Sequence, residues 1–276
     1  MAAPYVAGLV VLLLVPTAAA AVLAVTEYYG FEPPRFTGLD NVRRAVSDEL
    51  FLTSLRNVAL VAVVAVPLRV LLAVGAALVL ATRFRGAAAG RVATYLPSVV
   101  PDAAWALLWL WLLNPLYGPL PAVLRSVGVG APGFLTDPTA ARVGIALMFA
   151  LQVGESFVVA LAARRAIPER LYEAAAVESA RPSYVLRRLT LPLMAPLLGL
   201  LALRDLVLLL QVSFLPVLLV TEGGPRDATL TPPLYLYQRA FVYGELGYAS
   251  ALSVLLLLLT AVALAAQGLV LRRVLR

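Results

Sequence analysis

The sequence predicts an all-α polytopic membrane protein, organised as a single domain over residues 1–276 with six transmembrane helices. Two compositional observations indicate this fold class: 62% of the residues are hydrophobic, with a mean hydropathy of +0.92, and only 13% are charged. Soluble domains carry about 25% charged residues. The third observation is that six stretches each contain about 20 mostly apolar residues, the length that crosses a bilayer as a helix.

The six apolar stretches lie at residues 6–25, 58–81, 92–113, 143–163, 193–220 and 246–270. No basic residue precedes the first stretch, which is longer than the apolar core of a signal peptide, so we expect it to be retained as a helix. The fifth is interrupted by Pro196, Arg204, Asp205 and Pro216, which predict a kinked or tilted helix.

The placement of arginine predicts the orientation of these helices. All 22 basic residues are arginines. With the N-terminus inside the cell, the inner segments contain twelve arginines, whereas the outer segments, although longer, contain eight. Because basic residues concentrate on the cytoplasmic side, we expect both termini inside. The inner arginines in this topology are Arg83, Arg85, Arg91, Arg164, Arg165, Arg170, Arg181, Arg187, Arg188, Arg272, Arg273 and Arg276.

The composition also excludes several kinds of site. The chain has no cysteine and no histidine, which excludes disulfides, the usual zinc, haem and iron–sulfur ligands, and a Ser-His-Asp triad. It lacks the G-x-x-x-x-G-K-[ST] motif of a phosphate-binding loop, so we expect no ATP site on this chain. We predict no catalytic residue and no metal site, and we interpret the net charge of +7 as a signal of topology rather than of nucleic-acid binding.

A charged segment, residues 167–192, separates the fourth and fifth stretches on the predicted cytoplasmic side. Ile167-Pro168-Glu169 is typical of a helix start, because proline is tolerated at the first helical position and an acidic residue there suits the helix dipole. Arg181-Pro182 predicts a break, followed by a second short helix over residues 183–189 that ends at Thr190-Leu191-Pro192. The pattern therefore predicts a helix-turn-helix outside the membrane.

Two interpretations of this helix-turn-helix are open from the residues alone. It is either an ordinary amphipathic loop whose arginines serve only topology, or a docking element. Glu173 and Glu178, on a helix made thin by the alanines at 174–176, are suited to enter a groove on a partner.

The same segment resembles the EAA loop of the membrane-spanning subunits of binding-protein-dependent ABC importers. That pattern is E-A-A, two residues, D-G-A, and about ten residues later I-x-L-P. This chain has Glu173-Ala174-Ala175, then Glu178-Ser179-Ala180, then Leu189-Thr190-Leu191-Pro192. Glu178 replaces the family's aspartate. Ser179 replaces its glycine, and serine adopts a left-handed turn less readily.

Other segments resemble the carbohydrate-type branch of that family, so that the resemblance covers about residues 5–270. These segments are FTGLDNVRRAVSD, YLPSVVPDAAWALLWLWLLNPLYGPLPAVLRSVGV, IPERLYEAA and LVTEGGPRDATLTPPLYLYQRAFVYGELGYASALSVLLLLL. The resemblance implies a multi-pass protein of the prokaryotic inner membrane that is a transport subunit rather than an enzyme. It implies pairing with a second permease subunit, for which a different chain is expected and an identical one stays open. It also implies two cytoplasmic ATP-binding cassette subunits that hold ATP and Mg²⁺, and an extracytoplasmic solute-binding protein.

By this resemblance, the helix and turn that begin at Glu173 would insert into a cleft of the ATPase. The residues that match the family's coupling motif are Glu173, Ala174, Ala175, Glu178, Ser179, Ala180, Leu191 and Pro192.

Polar and ionisable side chains inside the predicted helices are candidates for a translocation path, because such groups are costly in a bilayer and are usually functional. Planar polar groups would hydrogen-bond a solute, and tryptophans would stack on it. An ion pair, such as Arg204 with Glu155 or Asp102, and an interfacial aromatic belt are the alternative interpretations. The candidates are Asp102, Trp105, Trp109, Gln152, Glu155, Arg204, Asp205 and Gln211, with Arg69 and Trp111 beside them.

The last outer loop predicts a surface that faces the binding protein or acts as a gate. The alternative is a tight turn followed by an interfacial helix with tyrosines at the headgroups. The residues are Gly223, Gly224, Pro225, Tyr237, Phe241 and Tyr248.

A secondary transporter of a small polar solute is the main alternative function, but it would not need a docking loop of this pattern and would more often show internal repeats. An intramembrane protease with an Asp102–Asp205 dyad lacks the expected sequence context around either acid. The solute itself stays open among sugars, polyols and sugar phosphates, since Arg69 and Arg204 would suit a phosphate.

Overall fold

The computed structural model describes residues 3–82 and 84–274. Within these ranges, four helices are long and apolar enough to cross a bilayer, and a fifth candidate is a pair of helices bent by 47° at a break. The four are Val6–Ala24, Glu49–Leu80, Pro182–Gln211 and Leu246–Ala266, and the pair is Pro138–Leu151 with Gly154–Ala166. Arg83 and Arg276, which contribute to the predicted orientation, lie outside the described residues, as do the side chains of Arg272 and Arg273.

The chain is predominantly helical. The α-helices are α1 (Ala3–Leu9), α2 (Val15–Ala24), α3 (Asp40–Ser47), α4 (Glu49–Leu80), α5 (Ala87–Tyr95), α6 (Asp102–Leu112), α7 (Pro119–Ser126), α8 (Pro138–Leu151), α9 (Gly154–Ala166), α10 (Glu169–Val177), α11 (Pro182–Val185), α12 (Leu191–Val212), α13 (Phe214–Val220), α14 (Pro232–Tyr237) and α15 (Leu246–Val274). Three π-helical segments, Val10–Leu14, Leu186–Thr190 and Gln238–Val242, and one 3₁₀ turn, Leu96–Ser98, connect some of them.

Helix α4 is the element around which the others pack. It begins nine residues before the predicted second stretch, because Asp48 caps it: Asp48 Oδ1 accepts hydrogen bonds from the backbone N–H of Leu50 at 2.9 Å and of Phe51 at 3.3 Å. Helices α8, α9 and α12 pack along it. At about 1.5 Å per residue, a helix of this length spans roughly 48 Å, so its ends extend beyond a hydrocarbon core of about 30 Å.

The predicted third stretch, residues 92–113, is not a continuous helix. Helix α5 ends at Tyr95, and α6 begins only at Asp102. Pro97 and Pro101 explain the interruption, since proline lacks a backbone N–H and disfavours the helical conformation in the residue before it. Helix α6 has 11 residues, which is shorter than the about 20 that cross a bilayer.

The predicted end of the second cytoplasmic helix at Thr190-Leu191-Pro192 is wrong. Helix α11 begins at Pro182 and continues through a π-helical segment into α12. In that wider turn the N–H of Leu191 donates to Leu186 O, five residues earlier, and the helix passes Pro192 without a break. The second helix of the predicted helix-turn-helix is therefore the beginning of the fifth apolar helix.

A short β-hairpin precedes α3, where the sequence indicated no strands. Thr26–Glu27 (β1) pairs antiparallel with Arg35–Phe36 (β2). The side-chain amide of Asn41 donates to Ala24 O at 3.1 Å and to Thr26 O at 2.8 Å. The hairpin is therefore fixed to the start of α3 and to the end of α2.

Small side chains allow the helices to approach α4 closely. Ala65, Ala73 and Ala77 are all at most 2% exposed. In lipid, helices associate through packing rather than through the hydrophobic effect, and small residues permit close backbone contact. Two buried clusters result, one toward each end of α4, the first around Trp109 and the second around Phe157.

Candidate functional site

A polar cavity of about 250 Å³ lies near the middle of α4. It collects side chains from six helices (α4, α6, α8, α9, α12 and α13), from the 3₁₀ turn after α5 and from the break between α8 and α9. Six of the eight predicted path residues line it, together with Arg69 of α4. Its lining residues are Arg69, Ser98, Asp102, Trp105, Phe149, Gln152, Glu155, Arg204, Asp205, Leu208, Leu209 and Pro216.

Gly154, the first residue of α9 after the break, packs closely on the turn that follows α5. A Cβ at this position would lie 2.5 Å from Ser98 Oγ and 2.7 Å from the carbonyl oxygen of Tyr95. Only glycine allows the 3₁₀ turn after α5 to pack this closely on the first turn of α9. This contact places Gln152 and Glu155 at the cavity, on either side of the bend.

Ion pairs connect three helices at the cavity. Arg204 of α12 forms an ion pair with Glu155 of α9, and Arg204 Nη1 lies 3.5 Å from Asp205 Oδ1. Arg69 Nε of α4 lies 3.7 Å from Asp205 Oδ2. Ser156 Oγ donates to the same carboxylate, at 3.4 Å from Oδ1 and 3.2 Å from Oδ2.

The predicted pairing of Arg204 with Glu155 is thus present, whereas Asp102 is held by a different residue. The amide of Gln152 donates to Asp102 Oδ1 at 3.5 Å. Among the residues that the structure describes, no group of three or more histidine, cysteine, aspartate or glutamate side chains is placed to hold a metal ion.

Arg69 is the cationic side chain deepest in this cavity. It is 8% exposed, and its Nε has no hydrogen-bond partner within the described ranges. Desolvation of an arginine is costly unless it is paired, and its pairing to Asp205 is electrostatic at 3.7 Å. Its guanidinium therefore retains donor capacity at the cavity.

Two predicted path residues do not line the cavity. Gln211 donates through Nε2 to Thr260 Oγ1 of α15 at 2.9 Å. Trp109 is 4% exposed in the helix core, where its ring lies edge-on to Trp105 at 6.0 Å between centroids. Trp105 lines the cavity, with its Nε1 donating to Met148 O at 3.2 Å, while Trp111 is 50% exposed.

The predicted coupling motif forms an exposed helix and turn beyond the far end of α4. Helix α10 carries Glu173, Ala174 and Ala175, and within the described part of the chain it has no buried residue. Val177 at its end is 86% exposed. This surface is therefore free within the isolated chain.

Tyr172 ties α10 to two neighbouring helices. Its hydroxyl lies 3.1 Å from Thr190 Oγ1 in the π-helical segment before α12. The guanidinium of Arg164, at the end of α9, lies 4.0 Å above its ring. These two contacts join α10 to α9 and to the segment that leads into α12, the helices that carry Glu155 and Arg204.

The turn after α10 has the geometry of a Schellman motif. Ala180 N donates to Ala175 O at 3.0 Å, and Ser179 N donates to Ala176 O at 3.0 Å. Ser179 has a φ of +53°, the left-handed conformation that favours glycine. Serine therefore occupies the same kind of turn that glycine would, at a conformational cost. Pro192 is exposed and Leu191 half-buried at the start of α12.

The glycine-rich turn lies at the opposite end of α4 and is held firmly. Gly223 has a φ of +89°, and Thr229 Oγ1 donates to Gly224 O at 2.7 Å. The buried amide of Asn57 donates to Asp227 O at 2.6 Å and to Leu230 O at 3.1 Å. Arg142 Nε donates to Ala228 O at 2.9 Å, so α4 and α8 both hold this turn.

A second polar network joins α4 to α14 and α15 near this turn. The hydroxyls of Tyr235 and Tyr248 both donate to Asp48 Oδ2 at 2.5 Å. Burial opposes ionisation of Asp48, but these two hydrogen bonds and those from the backbone of Phe51 and Leu50 outweigh it and lower the pKa of Asp48. Burial and the bond to Asp48 raise the pKa of Tyr235 to about 12, so it stays a donor.

The predicted gate residues occupy different environments. Tyr237 packs between Phe214 at 4.7 Å and Phe241 at 5.2 Å, measured between ring centroids. Phe241 is 72% exposed, whereas Tyr248 is 3% exposed and belongs to the Asp48 network rather than to the surface. Pro225 follows the two glycines in the turn that Asn57 and Arg142 hold.

Sequence reasoning missed several residues that build these regions. Asn57 was detectable as a polar residue near the start of an apolar stretch, and Ser156 lies beside Glu155 in another. Asp48 had the signature of a helix cap. Tyr172 gave no signal, because its role depends on contacts with residues distant in sequence.

Comparison with known proteins defines the class. Residues 69–276 match the family described as the binding-protein-dependent transport system inner membrane component. The chain belongs to this family.

Several relatives match over most of the chain. A probable ABC transporter permease, YesP of Bacillus subtilis (strain 168), is 31% identical over 261 residues, covering 93% of this chain and 84% of the relative. The diacetylchitobiose uptake system permease NgcF of Streptomyces coelicolor is 32% identical, covering 92% and 76%. The sn-glycerol-3-phosphate transport system permease UgpA of Agrobacterium fabrum is 33% identical, covering 81% and 76%.

Solved structures show the same fold. A chain of a bacterial alginate ABC transporter, in complex with its pentasaccharide-bound periplasmic protein, superposes with a TM-score of 0.82 at 22% identity, covering 98% of this chain and 92% of that one. A chain of the MetNI methionine ABC transporter in an inward-facing conformation gives a TM-score of 0.59 at 19% identity, covering 83% and 100%.

Proposed function

We propose that this chain is one of two permease subunits of an ATP-driven importer, and that it forms half of the path for a sugar or a related polyol or sugar phosphate. The observation that carries the proposal is the exposed helix and turn at residues 173–180, which match the coupling motif and are tied by Tyr172 to the helices that line the cavity. Relatives named for diacetylchitobiose and glycerol 3-phosphate transport favour this solute class.

Six crossings with both termini in the cytoplasm are part of this proposal. The third crossing combines α5 and α6 around their proline break, and the fourth is the bent pair α8 and α9. Support for the orientation comes from α4, because Asn57 near its start contacts the glycine-rich turn while Leu78 near its end lines the groove beside Tyr172. The coupling motif and the outer turn thus lie at opposite ends of one membrane-length helix.

In the proposed cycle, α10 docks on one of two separate ATPase subunits, which hold ATP and Mg²⁺. Closure of the ATPases moves α10, and Tyr172 passes this motion to α9 and α12. The ion pair between Glu155 and Arg204 joins the same two helices at the cavity. Their relative motion therefore acts directly on the groups that line the path.

At the cavity, the side chains have complementary roles toward a hydroxyl-rich solute. Asp102 and Gln152 provide hydrogen-bonding groups at one wall, and Trp105 provides an apolar face for a sugar ring. Asp205 holds Arg69 and Arg204 in place. The turn at Gly223–Pro225 and the exposed Phe241 face the outer side, where a solute-binding protein and the second, different permease would contact the chain.

The proposal is tested by reconstituting the importer, with its partner subunits and binding protein, into proteoliposomes. We expect uptake of the solute identified on the binding protein to require internal Mg²⁺-ATP and to persist when an ionophore removes ion gradients. Uptake that does not require ATP and stops when the ionophore is added would identify a secondary transporter instead.

A further inference from the structure

We propose that the solute crossing this cavity carries no negative charge, so that the chain serves an uncharged glycoside or polyol and rejects sugar phosphates and uronates. This inference rests on the proposed function and narrows it. The sequence left a phosphorylated solute open because Arg69 and Arg204 lie in apolar stretches. The structure shows what those two arginines face.

The charged groups that line the cavity are two arginines and three carboxylates, which give a formal charge of −1. They are Arg69, Arg204, Asp102, Glu155 and Asp205. In a cavity with apolar wall residues such as Phe149 and Leu208, an excess charge acts more strongly on an entering ion than it would in bulk water. An anionic solute is therefore repelled by the sum of these groups.

Each arginine is already neutralised. Arg204 lies between Glu155 and Asp205, with its Nη1 3.5 Å from Asp205 Oδ1. Arg69 Nε lies 3.7 Å from the other oxygen of Asp205, a residue that is 1% exposed. A phosphate that bound either guanidinium would compete with the carboxylates that already pair with it, a cost that a neutral hydroxyl does not meet.

The excess negative charge lies at Asp102. Within the described residues its one side-chain partner is the amide of Gln152, at 3.5 Å, and the residue is exposed at the cavity mouth. A carboxylate accepts hydrogen bonds from hydroxyl donors and repels other anions. Trp105, one turn along α6, offers a stacking face beside it. Acceptor and aromatic face together suit an uncharged, hydroxyl-bearing ring.

The native chain contains no cysteine, which permits a direct measurement of the cavity's charge preference. Leu208→Cys places a single thiol in the cavity wall, and Leu116→Cys, at a position 83% exposed outside it, provides a matched reference. The full importer in membranes is reacted with methanethiosulfonates of similar size, one cationic (trimethylammonioethyl) and one anionic (sulfonatoethyl). The importer with the cysteine-free chain gives the background from partner subunits.

We expect the cation-to-anion rate ratio at Leu208→Cys, divided by the ratio at Leu116→Cys, to be at least about tenfold, which corresponds to about 1.4 kcal/mol. Adding Asp102→Asn should bring this normalised ratio toward one. Asp40→Asn, which removes a charge with a 68% exposed side chain far from the cavity, should leave it unchanged. A normalised ratio near one, or one that favours the anion, would overturn the inference.

An uptake measurement provides the second arm. With the cognate binding protein present, ATP-dependent uptake of a neutral glycoside supports the inference, and ATP-dependent uptake of a sugar phosphate or a uronate contradicts it. Either result leaves the proposed function intact, because both need ATP. The thiol measurement needs neither ATP nor a known solute, so its failure is separate from a failure of the transport proposal.

Discussion

At the scale of single residues, Asp205 is the buried carboxylate that pairs with both arginines of the cavity. It is 1% exposed, lies 3.7 Å from Arg69 and 3.5 Å from Arg204, and accepts hydrogen bonds from Ser156. Its carboxylate is the shared counter-charge of both arginines. A substitution that removes the charge of Asp205 but keeps the size of its side chain therefore tests its electrostatic role separately from its role in packing.

We predict that Asp205→Asn reduces uptake at least about tenfold, equivalent to about 1.4 kcal/mol, while the complex still assembles. The amide keeps a hydrogen-bonding group near Ser156 but leaves Arg69 without a counter-charge. Uptake in proteoliposomes and the yield of intact complex on gel filtration are the two measurements, with Asp40→Asn as the control. Normal uptake in the variant would restrict Asp205 to a structural role.

We predict that Ser179→Gly maintains or raises stability and preserves transport. A left-handed residue other than glycine costs roughly 1–2 kcal/mol, partly offset by the greater freedom of glycine in the unfolded chain. The thermal unfolding midpoint of the purified complex is the measurement. Ser183→Gly, the same change in the helical backbone of α11, is the control and should lower the midpoint. A loss of transport in Ser179→Gly would mean that the serine hydroxyl itself acts in coupling.

At the scale of elements, the close packing of α9 on the turn after α5 depends on the absence of a side chain at Gly154. We predict that Gly154→Ala displaces the 3₁₀ turn, because its Cβ would lie 2.7 Å from Tyr95 O. Uptake should fall strongly, and the reactivity of Leu208→Cys toward a neutral thiol reagent should change as the cavity wall moves. Gly199→Ala, where a Cβ meets nothing within 4 Å, is the control. Unaltered uptake in Gly154→Ala would show that transport does not depend on the close contact between α9 and the turn after α5.

The Asp48 network predicts a pH dependence of the outer end of the bundle. Because the folded-state pKa of Asp48 lies below its ordinary value of 3.8, its stabilising contribution is complete above that value and is lost as the pH falls through the lowered pKa. Thermal unfolding of the purified complex between pH 5 and pH 2 should therefore show a steeper acid loss in the native protein than in Asp48→Asn. An equal acid dependence of thermal unfolding in the native protein and in Asp48→Asn would show that Asp48 is not the cause of the acid loss.

At the scale of the whole molecule, hydropathy predicted the helices well and their breaks poorly. A bilayer requires long apolar helices, so composition alone locates them. The division between α5 and α6 is invisible to hydropathy, because it arises from the backbone restrictions of Pro97 and Pro101. The opposite error occurred at Thr190-Leu191-Pro192, where a π-helical turn carries the helix past a proline.

In the cavity too, sequence patterns identified individual residues, whereas tertiary packing determines which of them come into contact. Each charged residue of the cavity stands out singly in an apolar stretch, since charge in a bilayer is costly. Their pairing was predicted only in part: Arg204 with Glu155 was one of two alternatives, and Arg69 with Asp205 was not predicted. These residues come from three helices whose contacts no local pattern specifies. Gln211 and Trp109 were equally conspicuous in sequence, and the packing directs them away from the cavity.

The central claim is that this subunit is driven by a separate ATPase through α10. The most direct test is Glu173→Arg, which reverses a charge on an exposed face of α10 and leaves the contacts of Tyr172 in place. In reconstituted importer, we predict normal assembly of the permease pair but loss of both uptake and the ATP hydrolysis stimulated by loaded binding protein. Wild-type stimulation of hydrolysis together with wild-type uptake in Glu173→Arg would contradict the claim.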